Sequence, residues 1–279
     1  MKKVLKEYQP SVIHAHDMRA SFIVSRSAGR IPFLSHIHNN AYNSRAVSLK
    51  SIAYLFAGLK AKHIFWVSKS AYQGYAFHRF LKQKSSILYN VIDVEKLYKK
   101  MNQDGNTYYY DIVFVGRMTY PKNPHRLISV LSKVIEKKSD VKIAIIGNGE
   151  LDEEIRKLSD EKGLSHNISF LGFQPNPLKI MYNSKVMIMT SRWEGTPMCA
   201  LEAMALGLPI VSTPTDGMCD LIENDANGFL SDDDIDIAEK LLKILKDDLL
   251  REKLSKEQIR KAENINDIFS YKRSVKNQL

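Results

Sequence analysis

Four side chains in this sequence are placed to do chemistry on something rich in oxygen. Glu194 and Glu202 stand in E-x7-E spacing within "RWEGTPMCALEAMALGLPIVST". The segment "PMCALEAMAL" is apolar nearly all round, which predicts a buried helix. A carboxylate there is costly unless donors meet it, from a neighbouring ion pair or from the hydroxyls of a sugar or ribose. Thr196 is placed to cap this helix, Pro197 suits its first turn, and Gly207 with Pro209 ends it. Glu194 falls at the strand end just before the helix, close to the free N–H groups of the first turn. The second pair is Arg117 and Lys122 in "DIVFVGRMTYPKNPHRLISVL", where a strand ends at Gly116. Gly116 lets a ligand approach the backbone, Arg117 offers a planar fork for phosphate oxygens, and Lys122 adds a mobile point charge. Two cations at a strand's carboxyl end suit a diphosphate, although basic surface residues would look the same.

The elements that must hold these groups follow from periodicity. Apolar runs bounded by turn residues alternate with helix-period segments, as in βα units around parallel sheets. The first set predicts strands near Val12–Ala15, Phe33–Ile37, Ile64–Val67 and Ser86–Tyr89, with helices over Arg45–Lys62 and Ala71–Leu81. The second predicts six strands, over Asp111–Val115, Val141–Ile146, Ile168–Leu171, Val186–Met189, Ile210–Ser212 and Gly228–Leu230. Between the sets, "YKKMNQDGNTYYY" reads as a polar linker. The fold class is therefore α/β with two Rossmann-like domains. Facing each other, they would leave a cleft at the carboxyl ends of their strands, where open parallel sheets bind ligands.

The chain has 279 residues, of which 44% are hydrophobic, enough for a sizeable core. Two cysteines, Cys199 and Cys219, are too few for a disulfide framework and fit a reducing cytoplasm. No run approaches the roughly 20 apolar residues of a membrane span, and no signal peptide is legible, which predicts neither a transmembrane nor a secreted protein. The net charge of +10 is uneven. Residues 1–107 carry 17 Lys/Arg against 5 Asp/Glu, while the remainder carries 24 against 26. That asymmetry points to an anionic partner, a lipid surface or nucleic acid, or to a basic face that is merely solvated. Aromatic residues are not interleaved with a basic stripe, which argues against nucleic acid. The acidic string Asp232-Asp233-Asp234-Ile235-Asp236 resembles a metal site, but it directly precedes the helix "IAEKLLKILK", where acidic residues cap and offset the helix dipole.

At this point the sequence resembles a family 4 glycosyltransferase of the two-Rossmann-domain (GT-B) type, of the kind that builds bacterial capsular polysaccharide or exopolysaccharide. The matching pieces are "FVGRMTYPKNP", "IGNGELDEEI", "FLGFQPN", "SRWEGTPMCALEAMALGLPIVST", "NGFL" and the terminal "FSYKRSVKNQL". "VIHAHD", "SHIHNN", "WVSKSAYQ" and "LYNVIDVEKL" resemble first-domain segments more loosely. The resemblance implies a retaining transfer from a nucleotide diphosphate sugar, a UDP-sugar, to a saccharide or lipid-linked acceptor, with no metal ion and no cofactor. It implies that Arg117 and Lys122 hold the diphosphate, Glu202 the ribose hydroxyls and Glu194 the transferred sugar. Gly116, Asn148, Gly195, Thr196, Pro197 and Met198 would complete the donor site, with Phe173 beside the base. His38 matches the first-domain histidine that faces the sugar, ahead of its neighbour His36. The domains implied are residues 1–107 on the acceptor side, 108–262 for the donor, and 263–279 as a C-terminal helix packing back toward the first domain.

Two features depart from the family. Val91 stands where relatives commonly have glycine, and there is no Gly-Gly pair anywhere. Family members open with a strand and glycine-rich loop, so the first domain is expected to be incomplete at its N-terminus, with a second chain as one supplier of the missing segment. The expected protein is cytoplasmic, with peripheral attachment to the inner membrane face as a further option through its basic first domain and the helix "SRAVSLKSIAYLFAGLKAKHIF". The alternatives are an inactive donor-binding remnant or split-enzyme half, and, further off, a nucleotide-sugar epimerase.

Overall fold

The computed structural model describes residues 1–38 and 42–278, with only the backbone of Tyr42 and Asn43. Asn39 and Asn40 of "SHIHNN" and the terminal Leu279 lie outside the described residues. The chain divides into two compact units, Met1–Asn90 with Ile268–Leu279, and Val91–Asp267.

The first unit is built on a four-stranded parallel sheet, β1 (Ile13–His16), β2 (Phe33–Ile37), β3 (His63–Trp66) and β4 (Ser85–Ile87), in the order β1-β2-β3-β4. One face carries Ile13, Ala15, Phe33, Ile37, Ile64 and Trp66 into a core shared with the helices Asp17–Ser27 and Leu49–Lys60. On the other face, Leu34 and Phe65 meet Tyr271 and Val275 of the helix Ile268–Lys276. The helix read over Arg45–Lys62 is split into Tyr42–Arg45 and Leu49–Lys60. The break is local chemistry: Ser48 and Ser51 form a reciprocal capping box that starts a new helix. The one read over Ala71–Leu81 is a short helix, Lys69–Gln73, followed past Gly74 by a 3-10 segment, His78–Lys84.

The second unit holds β5 (Tyr110–Val115), β6 (Ile143–Ile146), β7 (Ile168–Gly172), β8 (Ser184–Met189), β9 (Ile210–Ser212) and β10 (Gly228–Leu230). These form a six-stranded parallel sheet in the order β10-β9-β8-β5-β6-β7. This is the doubly wound order, and the chain reverses direction across the sheet between β5 and β8. The strands are buried on both faces, as parallel sheets covered by helices require.

Residues 91–107, read from the sequence as the end of the first domain, fold with the second unit. The stretch read as a linker is half helix, because Val94–Asn102 places Leu97 and Met101 on one face against Leu178, Met181 and Met204. Only the residues from Gln103 to Tyr109 remain irregular. The C-terminal segment also divides differently from the expected 263–279: Asp248–Ile265 is one helix of the second unit, and Ile268–Lys276 belongs to the first.

The loops at the carboxyl ends of β5 and β6 are packed backbone on backbone. Gly116 donates to the Ile146 carbonyl at 2.9 Å and Met118 to the Asn148 carbonyl at 3.0 Å. Gly147 holds φ +131°, and a Cβ there would lie 2.0 Å from the Gly116 carbonyl oxygen. Gly147→Ala should therefore lower unfolding stability by about 1–3 kcal/mol through overpacking alone, measured by urea denaturation; an unchanged midpoint would show that the loops are not in contact.

Candidate functional site

The reversal between β5 and β8 sets the loops that follow them side by side. Past β5 come Gly116, Arg117 and, in the 3-10 turn Tyr120–Lys122, Lys122. Past β8 come Thr190, Ser191 and Glu194. The two loops are tied directly: the Arg192 N–H donates to the Pro121 carbonyl at 2.8 Å, and the Thr190 hydroxyl donates to the Lys122 carbonyl at 3.2 Å. Side chains complete the link, since Lys122 Nζ donates to Glu194 Oε1 at 2.5 Å while the Ser191 hydroxyl donates to the same oxygen at 2.6 Å. Both side chains of the ion pair are largely buried, 18% and 11% exposed. Both donors fall on Oε1, which leaves Oε2 of Glu194 to a ligand.

Burial alone would push the Lys122 ammonium down, yet it is held above its ordinary range because Cys199 and Glu194 lie against it. At neutral pH Cys199 is an uncharged thiol, pushed up to about 11 by burial, so Glu194 is the operative partner. Lys122, Glu194 and Glu202 all lie near enough to the Cys199 sulfur to act on it electrostatically. Arg117 is exposed, close enough to Lys122 to oppose its charge, and makes no hydrogen bond or ion pair among the described residues. The structure thus gathers two cations and two carboxylates at the carboxyl end of one sheet.

Glu202 sits on the helix Met198–Ala205, whose Ala200, Leu201, Ala203, Met204 and Ala205 are buried. The helix begins one residue later than the sequence implied: Pro197 rather than Thr196 is the N-cap residue, and it offers no side-chain cap. Gly207 in the left-handed region (φ +68°) ends it, with Gly207 and Leu208 N–H groups returning to the Met204 and Ala203 carbonyls. Gly195 is pressed against a neighbouring loop so closely that a Cβ on Gly217 would fall 1.3 Å from its carbonyl oxygen. Met198, Asn148 and Phe173 are exposed, Phe173 at 73%, near the ends of β8, β6 and β7. Sequence reasoning missed Ser191, which orients Glu194, and the stack of Arg192 over Tyr120, 4.4 Å from the ring centre, with Trp193 beside it. Nothing in the residue types at these positions signals that role; it follows from the loop pairing.

His38 belongs to the first unit. Its Nε2 is 2.7 Å from His16 Nδ1, and its backbone N–H donates to Asp17 Oδ1 at 3.0 Å. Burial lowers its pKa, partly offset by Asp17 and reinforced by His16, so the ring is neutral at pH 7. The acidic string caps and pairs rather than clustering: Asp233 accepts from the Ile235 and Asp236 N–H groups, and Arg126 binds Asp232 and Asp234.

Glu202 accepts no hydrogen bond and joins no ion pair among the described residues, and burial raises its pKa, opposed only by distant help from Lys100. With the folded value above the unfolded one, the native chain holds more protons across the intervening window. Stability therefore falls as pH rises through that window, and the deficit persists at neutral pH. Glu202→Gln is expected to melt higher than the parent chain at pH 7, with the gap closing as pH falls toward the ordinary glutamate range. A lower melting temperature at pH 7 would mean the carboxylate has a native partner.

The family described as "Glycosyl transferases group 1" matches residues 98–261, and "Glycosyltransferase Family 4" matches residues 1–96. An uncharacterized glycosyltransferase of Methanocaldococcus jannaschii is 28% identical over 76% of this chain. The UDP-Gal:alpha-D-GlcNAc-diphosphoundecaprenol alpha-1,3-galactosyltransferase of Escherichia coli is 26% identical over 84%. This chain spans 57% and 66% of the lengths of those two relatives. The crystal structure of Anabaena HepE with UDP-glucose superposes with a TM-score of 0.86 at 19% identity, over 99% of this chain and 80% of that one, a likeness of fold. The chain belongs to the group 1 glycosyl transferases, a GT-B glycosyltransferase with a family 4 first domain.

Proposed function

We propose that this glycosyltransferase takes a nucleotide diphosphate sugar, a UDP-sugar, as donor and transfers the sugar, with retention at the anomeric carbon, to a saccharide or lipid-linked saccharide in surface polysaccharide synthesis. The observation that carries the reading is the convergence of the exposed Arg117 guanidinium, the Lys122–Glu194 pair and the unpartnered Glu202 carboxylate around Cys199. Support for the donor and acceptor classes comes from the names of the proteins just described, one crystallised with UDP-glucose and one named for a diphosphoundecaprenol-linked acceptor.

In this reading Arg117 and Lys122 meet the diphosphate, with the Gly116 backbone close to it, and stabilise the negative charge that develops as the bond from the anomeric carbon to the β-phosphate oxygen breaks. That electrostatic role is one a divalent cation plays in other enzymes, so the transfer step calls for no metal ion. The acceptor oxygen forms its bond on the face the phosphate leaves, without a protein nucleophile. Glu194 Oε2 accepts from hydroxyls of the transferred sugar, flanked by Gly195, Thr196, Pro197 and Met198. Glu202 accepts from the ribose, and Asn148 and Phe173 lie toward the uridine.

The first unit also supports peripheral binding at the inner, anionic face of a membrane. It carries 17 Lys/Arg against 2 Asp/Glu. Leu49, Ile52, Phe56 and Leu59 form an exposed stripe on the helix Leu49–Lys60, with exposed Lys50 and Lys60 on the same helix. Among the described residues no helix is long and apolar enough to cross a membrane.

Arg117 pairs with nothing in the fold, so Arg117→Ala should leave the melting temperature unchanged while lowering turnover of the UDP-sugar by about 10²–10³-fold, the scale of one lost transition-state donor. Lys122→Ala should lose turnover and also stability, because it strands Glu194. Normal turnover in Arg117→Ala, or an inverted anomeric product by NMR, overturns this reading; donor binding without transfer favours a donor-binding half instead. Phe56→Asp should weaken co-sedimentation with phosphatidylserine vesicles, and equal sedimentation of both forms would remove the membrane-facing assignment.

A further inference from the structure

The first unit concentrates imidazoles beyond the one, His38, that the family resemblance assigns to the transfer. The two-residue period of β1 places His14 and His16 on one face, and that of β2 places His36 and His38 on the same face, with His16 and His36 opposite each other in register. Ring centres are 4.4 Å apart for His14 and His16, and 5.4 Å for His36 with each of them. The ligand-capable nitrogens of His14, His16 and His36 all lie within 4.8 Å of one another. His36 is fully buried, and among the described residues its ring nitrogens make no hydrogen bond of good geometry, with only the Leu88 backbone close enough to act on the ring. A buried polar group without good partners is costly and asks for an explanation.

We propose that His14, His16 and His36 form a binding site for one divalent transition-metal ion of the zinc class. Three imidazole nitrogens are the donor set of such ions, whereas calcium and magnesium demand oxygen. Tetrahedral metal–nitrogen distances of about 2.0–2.1 Å set the ligand nitrogens about 3.3 Å apart, so nitrogens now within 4.8 Å of one another must close by side-chain rotation of His14 and the exposed His16. His16 meets His38 through Nδ1, which leaves Nε2 for the ion and makes His38 the outer partner that sets the tautomer. Two ligands from the edge strand β1 and one from β2 would fasten that edge to the sheet, and an ion bound only by the folded state stabilises it. The three ligands belong to the first unit, and none of them is among the residues proposed to bind the donor.

The test is a Co²⁺ titration of the full chain, purified without a polyhistidine tag and stripped of metal, followed by visible absorption and by the melting temperature with Zn²⁺. One Co²⁺ per chain, displaced by Zn²⁺, with a raised melting temperature, is expected. His16→Ala, an exposed position that leaves the core intact, should weaken binding at least about tenfold, the scale that even an outer-shell partner carries. His36→Ala should do the same, and His125→Ala, in the second unit, should leave affinity unchanged. No uptake with Co²⁺ in severalfold excess, or wild-type affinity in His16→Ala, overturns the proposal.

Discussion

The Lys122–Glu194 pair is the contact on which the donor-side architecture turns. It joins the loop after β5 to the loop after β8, two segments separated by three intervening strand–helix units but adjacent because the sheet reverses between those strands. A lysine this buried keeps its charge only because a carboxylate faces it. Glu194 in turn is fixed by Ser191. The geometry that sets this cation beside this carboxylate is therefore one interaction joining both loops.

Around that pair the fold accepts local costs. Glu202 is half-buried with no partner, on a helix whose other inward positions are packed apolar side chains. Arg117 extends into solvent beside another cation. Neither arrangement stabilises the folded chain, and in the proposed reading phosphate oxygens and ribose hydroxyls would supply the partners. Residues that break the local rules of packing and pairing without compensation are where ligand recognition is expected.

The two units also divide electrostatic labour. The excess positive charge is concentrated in the first, whose 17 basic residues face only 2 acidic ones, while the second carries a slight negative excess. The second unit nevertheless sets Arg117 and Lys122 close together at the carboxyl end of its sheet, and the proposed diphosphate site rests on that placement rather than on the sign of the whole surface.

Much of this was legible in the residues alone. Strand positions were readable because continuous runs such as Ile143–Ile146 and Val186–Met189 are long enough to mark buried parallel strands, and the E-x7-E stretch with its flanking Gly-Leu-Pro marked a strand, a helix and a second strand in sequence. Local pattern also misled: Ser48 and Gly74 broke helices that periodicity had run together, and the linker concealed a helix whose apolar face begins upstream of it. What the chain pattern could not specify was adjacency. That Lys122 meets Glu194 rather than solvent, that Glu202 meets nothing, and that histidines 20 or more residues apart share one sheet face all depend on strand order and register. Those are decided by how the apolar faces of separate βα units bury one another, a non-local balance that sequence spacing does not encode.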